Sequence, residues 1–102
     1  MNSAERIKTI RREMLVSLKA IYPSSLEAQS LYRAMLAAFP DMEFDHLRQD
    51  LSYLLDKGYI ARTMPRSHDH PDLIAWKYRW FCLTAAGVEI ADRVRFDEAL
   101  EI

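Results

Sequence analysis

Leu54-Leu55-Asp56-Lys57-Gly58-Tyr59-Ile60 is the stretch on which the fold turns, because the apolar pattern changes its period there. Before it, Phe44, Leu47, Leu51, Leu54 and Leu55 recur at spacings of three and four, the signature of one helix face. After it, Tyr59-Ile60-Ala61-Arg62-Thr63-Met64 is rich in strand formers. Gly58 stands at the junction, where a glycine takes the left-handed backbone that ends a helix without steric cost. The helix so delimited is expected over about 42–57, with Asp41 as its cap and Glu43 in its first turn.

Working outward, two more helices precede this one. Ser3 can cap a helix over 3–22 whose stripe is Ile7, Ile10, Met14, Leu18 and Ile21, closed by Pro23, which disfavours helix in its predecessor. Its other face carries Arg6, Lys8, Arg11, Arg12 and Lys19, of which Arg11 and Arg12 can meet a backbone or an acidic partner. Ser24-Ser25 can cap a helix over 25–39 with Leu31, Met35, Ala38 and Phe39 on one side, stopped by Pro40. Downstream, a polar loop from Pro65 to Asp72 separates the first strand from a second, Leu73 to Leu83, rich in aromatic residues. The two strands form a hairpin over 59–83. Thr84 caps a last helix over 84–100 through Val88, Ala91 and Val94.

The 102 residues suffice for one domain, 1–102, and half of them are apolar. The single cysteine, Cys82, permits no internal disulfide, and neither a signal peptide nor a membrane span is legible; together these lead to the expectation of a cytoplasmic protein. The formal net charge of −1 conceals an uneven distribution. Residues 1–22 and 59–83 are net basic, whereas 41–58, with Asp41, Glu43, Asp45, Asp50 and Asp56 against Arg48 and Lys57, are net acidic.

A two-stranded hairpin is not stable alone and must pack on the helices. The expected fold is therefore mainly α with a small β-hairpin, in the order helix, helix, helix, strand, wing, strand, helix. Two motifs in that order carry a resemblance. Leu54 to Ile60 resembles the junction between recognition helix and wing in bacterial regulators, and Phe81-Cys82-Leu83-Thr84-Ala85-Ala86-Gly87 resembles the step from wing strand to final helix. Together they make the chain similar to the winged helix-turn-helix superfamily, including MarR-like, PadR-like and ArsR-like regulators, and to small winged-helix proteins of Mu-like phages and prophages. In physical terms Ile60 and Leu83 can enter the core from paired strands, Thr84 caps, and Gly87 lets the last helix approach a neighbour closely.

The resemblance implies a transcriptional regulator that binds double-stranded DNA, as a homodimer formed by the first and last helices that presents two third helices to the duplex. On the third helix the outer face is expected to hold Asp45, His46, Arg48, Gln49, Ser52, Tyr53 and Asp56. Arg48 can read guanine and Gln49 adenine, while Ser52 and Tyr53 can donate to phosphates. Glu43, Asp45 and Asp50 oppose this, since carboxylates repel the duplex. The wing offers Arg62, Arg66 and Lys77 for the backbone or minor groove. The acidic third helix and balanced total charge favour the alternative, a protein-interaction module or phage accessory protein that does not bind DNA.

Trp76, Tyr78 and Trp80 alternate along the second strand and are expected on one face, with Lys77, Arg79, Phe81 and Leu83 on the other. If Phe81 and Leu83 are core, the aromatic row is covered by the first helix or the tail around Phe96 and Leu100, or it forms a dimer or partner interface, or it stacks on bases. His68, Asp69, His70 and Asp72 read as a solvated loop tip rather than a metal site. Cys82 reads as a buried small residue. No phosphate-binding glycine loop, nucleophile elbow or zinc-protease motif is present, so neither enzyme chemistry nor a cofactor is expected. No small-molecule effector site is legible.

Overall fold

The computed structural model describes residues 3–64 and 73–93, and the fold is mainly helical with a small antiparallel sheet. Helix α1 spans Ser3–Lys19, strand β1 Leu26–Glu27, α2 Ala28–Ala38 and α3 Phe44–Asp56. Strand β2 is Ile60–Thr63, a 3₁₀ turn covers Trp76–Tyr78, β3 is Trp80–Leu83 and α4 is Ala85–Ala91. The sheet order is β1-β3-β2, with Ile60 opposite Leu83 and Arg62 opposite Phe81.

One core joins all of these elements. Ile10, Met14, Leu15 and Leu18 of α1 meet Leu31 and Met35 of α2, Leu47, Leu51 and Leu54 of α3, Ile60, Phe81 and Leu83 of the sheet, and Ile90 of α4. The expected stripes are therefore largely the buried faces. The exceptions on α1 are Ile7, which is 42% exposed, and Leu15, which is fully buried although the expected stripe passes it by.

The two motifs fold against each other. Gly58 lies at φ +76°, and the amides of Gly58 and Tyr59 donate to the carbonyls of Leu55 and Leu54 at 3.0 and 3.1 Å, closing the end of α3. This pair of bonds is the Schellman arrangement, which a left-handed glycine makes possible. Thr84 caps α4: its Oγ1 accepts from the Gly87 amide at 3.1 Å and donates to the Gly58 carbonyl at 2.6 Å. The Thr84 amide donates to the Tyr59 carbonyl at 3.1 Å. One threonine thus fastens the start of α4 to the turn that ends α3. Replacing it by alanine removes a cap and a tertiary hydrogen bond, and Thr84→Ala is expected to cost about 1–2 kcal/mol in urea unfolding, with Thr84→Ser retaining most of it.

Several expected boundaries move. Helix α1 ends at Lys19 rather than residue 22, and the chain turns through Ile21 and Tyr22 to a cis Tyr22–Pro23 bond. Helix α2 begins at Ala28 rather than 25, because Leu26 and Glu27 pair with Phe81 and Trp80 and so take extended backbone. Ser25 does not cap; its hydroxyl accepts from Thr63 Oγ1 at 2.8 Å. The expected hairpin is thus a three-stranded sheet. Helix α3 begins at Phe44 with Glu43 in the cap position, and Asp41 is engaged instead by Arg6. Helix α4 ends at Ala91, not near 100: Arg93 is left-handed at φ 61° and its amide donates to Ile90.

The largest departure is in the second strand. Only Trp80–Leu83 is strand, and Trp76, Lys77 and Tyr78 form a turn. The alternation expected of Trp76, Tyr78 and Trp80 is therefore lost. Tight 3₁₀ backbone frees Trp76 to lie nearly parallel to Phe81, with ring centroids 6.1 Å apart and an interplanar angle of 17°. The Arg79 guanidinium covers the Trp76 ring at 4.4 Å, and its Nε donates to the Ile74 carbonyl at 2.8 Å. Cys82 is half-buried, not fully buried as expected.

Candidate nucleic-acid interface

Helix α3 divides cleanly by burial. Leu47, Leu51 and Leu54 face the core, whereas Asp45, His46, Arg48, Gln49 and Asp56 are exposed and Ser52 is half-exposed. Tyr53 is half-buried, because the Arg11 guanidinium from α1 lies 3.8 Å from its ring centre. The Lys57 ammonium is 5.9 Å from the same ring. Tyr53 is thus a platform between two cations rather than a free outward side chain.

Asp50 is not on the outer face. It is 5% exposed and accepts a hydrogen bond from Arg11 Nε at 3.0 Å. Burial pushes its carboxyl above the ordinary aspartate range even though Arg11 stands beside it. The expected repulsion of a duplex by Asp50 is correspondingly reduced, since its charge is turned inward and paired. Asp41 lies outside α3, where Arg6 clasps it through both guanidinium nitrogens; that hydrogen-bonded pairing holds its carboxyl below the usual range. Asp45 stands 3.6 Å from Arg48 Nη2, one helical turn away. Glu43 and Asp56 remain exposed.

Arg48, Gln49, Ser52, Tyr53 and Asp56 line a shallow groove of about 410 Å³ that is closed on one side by Trp76. The structure therefore brings four of the five expected α3 residues together, while His46 lies toward α1 instead. Trp76 enters the groove from the sheet side, and its other side walls a second groove with Gln29, Tyr32, Phe44 and Lys77. Of the expected wing cations, Lys77 is exposed beside the Tyr78 ring at 5.0 Å. Arg62 shares the inner face of the sheet with Ile60 and is half-buried. Arg66, like His68, Asp69, His70 and Asp72, lies outside the described residues, as do Phe96 and Leu100. Trp80 falls on the outer sheet face with Glu27 and Thr63, and Tyr78 is 49% exposed, so the three expected interface aromatics occupy three different settings.

The place of Trp76 beside α3, and the Arg11–Asp50 and Arg11–Tyr53 contacts, were not expected from the sequence. The ion pair has a readable signal. Arg11 falls four residues after Ile7 and three before Met14, and Asp50 three after Leu47 and four before Leu54, so both charges occupy positions on an apolar stripe. Among the described residues no group of three or more His, Cys, Asp or Glu side chains is placed to hold a metal, and no helix is long and apolar enough to cross a membrane. No family model matches the chain, and no curated protein or solved structure matches it either.

Proposed function

We propose that this chain is a winged helix-turn-helix domain that binds double-stranded DNA, with α3 in the major groove, as a homodimer in the manner of a transcriptional regulator. The observation that carries the reading is the outward groove of α3, where Arg48, Gln49 and Ser52 stand together while Asp50 points inward to Arg11. Side chains of these types suit base-edge and phosphate contacts: a guanidinium for guanine, a carboxamide for adenine, a hydroxyl for a phosphate oxygen. Arg48 must give up Asp45 to do so; at 3.6 Å on an exposed surface that pair is weak. Among the described wing cations, Lys77 is exposed and can follow the backbone, and Arg62, on the inner sheet face, contributes less.

The test is selection of a preferred duplex from a random pool, followed by fluorescence anisotropy. Arg48→Ala is expected to weaken the selected site by about tenfold or more, the value of one good base contact. The same change should relax preference at one base. Lys77→Ala should weaken all duplexes alike and lower the slope of log K against log salt by about 0.9. No binding to any duplex at low salt would sink the proposal. That outcome would favour the second reading, a protein-interaction module or phage accessory protein, for which the specific support is that Glu43, Asp45 and Asp56 are all exposed around the same helix.

A further inference from the structure

Another cavity, of about 340 Å³, lies between α1 and α3 and shares only Gln49 with the groove beside Trp76. One wall is α1, with Arg6, Ile7, Ile10 and Arg11; the other is α3, with His46, Gln49 and Asp50; Asp41 and Met42 complete it. Its size and its mixture of apolar wall with a few convergent polar groups are those of small-molecule sites. Ile7 explains itself here: it belongs to the apolar pattern of α1 yet is 42% exposed, because it borders the cavity instead of the core.

We propose that this cavity binds a small uncharged amphipathic molecule, its hydrogen-bond donor on Asp50 and its apolar body against Ile7, Ile10 and Met42. The cations of the lining are committed, Arg6 to Asp41 and Arg11 to Asp50, so a charged ligand would have to break a pair or add an uncompensated charge. Asp50 has room for a donor. A carboxylate accepts several hydrogen bonds, and among the described residues this one receives only the bond from Arg11 Nε, at Oδ1. An uncharged hydroxyl or amide satisfies the remaining oxygen without disturbing either pair.

Gln49 gives the site a consequence. It lines both this cavity and the outer groove beside Trp76. A ligand that engages its carboxamide withdraws it from the face assigned to base contact. This regulatory half rests on the DNA-binding reading; the binding half does not.

The experiment is titration of the ¹⁵N-labelled protein, without DNA, with four probes sharing one ring: benzyl alcohol, benzyl methyl ether, benzylammonium and benzoate. Benzyl alcohol is expected to give saturable shifts at Ile7, Ile10, Met42 and Gln49 with a dissociation constant of about 1 mM, in keeping with its few atoms. The ether, lacking a donor, should bind about fivefold to tenfold more weakly. The two ions should bind at least as weakly as the ether. Ile7→Trp, at an exposed position on the cavity wall, should abolish the shifts while leaving the melting temperature unchanged. Shifts scattered away from the cavity, equal binding of an ion, or persistence in Ile7→Trp would overturn the site. Saturating benzyl alcohol should weaken the selected duplex severalfold, and an unchanged duplex affinity would overturn the Gln49 coupling. If benzyl alcohol binds but no duplex does, the DNA reading fails and the cavity assignment stands.

Discussion

Gly87→Ala is expected to destabilise the protein by about 3 kcal/mol or more, at or above the upper end of the usual cost of overpacking. A Cβ at this position would overlap the Tyr59 carbonyl oxygen and stand 2.9 Å from Leu83 Cδ2 and 3.0 Å from the Tyr59 carbonyl carbon. The nearest atom is backbone, and it is held in place because that carbonyl accepts the Thr84 amide. Relief therefore requires α4 to back away, which draws Ile90 from the core and pulls Thr84 from Gly58. The better helix propensity of alanine, about 1 kcal/mol, does not offset this. Against a typical domain stability of about 5–15 kcal/mol the loss should move the urea midpoint far to the left with little change in slope. A Gly87→Ala protein as stable as the parent would show that α4 does not pack on the α3–β2 turn as described.

Arg11→Met is the second large effect, expected at about 3 kcal/mol at pH 7, because it leaves Asp50 buried without its counter-ion. Methionine keeps much of the apolar stem of Arg11 but loses the guanidinium that lies over the Tyr53 ring, so the loss reports the ion pair together with that stacking contact. The pH dependence has a definite sign. Burial holds the Asp50 carboxyl above its ordinary value in the folded protein, with Arg11 and His46 pulling the other way. A raised carboxyl stabilises the fold below the unfolded pKa, and that contribution is lost as pH rises through the folded value. Without Arg11 the carboxyl rises further, so the deficit of the variant should narrow as pH falls from 7 toward 5. Asp41 has the opposite sign, its stabilisation being lost on acidification, but it is common to both proteins and cancels in the difference. Combining Arg11→Met with Asp50→Leu should recover most of the stability and flatten the pH response, since an apolar replacement of a buried pair is often neutral or better. If Arg11→Met lies within about 0.5 kcal/mol of the parent across this range, the ordinary size of a surface change, the pair has no structural weight.

What could be read in advance was local in its physics. Gly58, Thr84 and Gly87 each answer to a constraint within a few residues, namely left-handed backbone, an uncapped helix start and a close approach, and each occupies the place expected of it. Ile60 and Leu83 were readable as a core pair because alternation on short strands leaves little choice. The failures needed contacts distant in sequence. Leu26 and Glu27 are strand only because β3 runs beside them, and serine capping signals without that partner read as helix. Trp76-Lys77-Tyr78 reads as strand by composition, and the gain from stacking Trp76 on Phe81 overrides that preference. On α3 the apolar stripe was legible, but counting Asp50 among the carboxylates that repel a duplex followed its charge rather than its position, and position decides when a counter-ion such as Arg11 waits on the facing helix. The cavity between α1 and α3 was invisible because its lining comes from segments thirty or more residues apart.

The sheet order has one more consequence, for what happens when the chain is not folded. Trp80-Phe81-Cys82-Leu83 is an uncharged, aromatic stretch of the kind that templates intermolecular pairing. In the native sheet it is the middle strand, with one hydrogen-bonding edge taken by β2 along its length and the other by β1 at Trp80 and Phe81. The two-residue β1, easily dismissed as ornament, is what occupies one of those edges and denies it to another molecule. Loss of solubility in this protein should therefore track local opening at Leu26 and Glu27 as well as global unfolding.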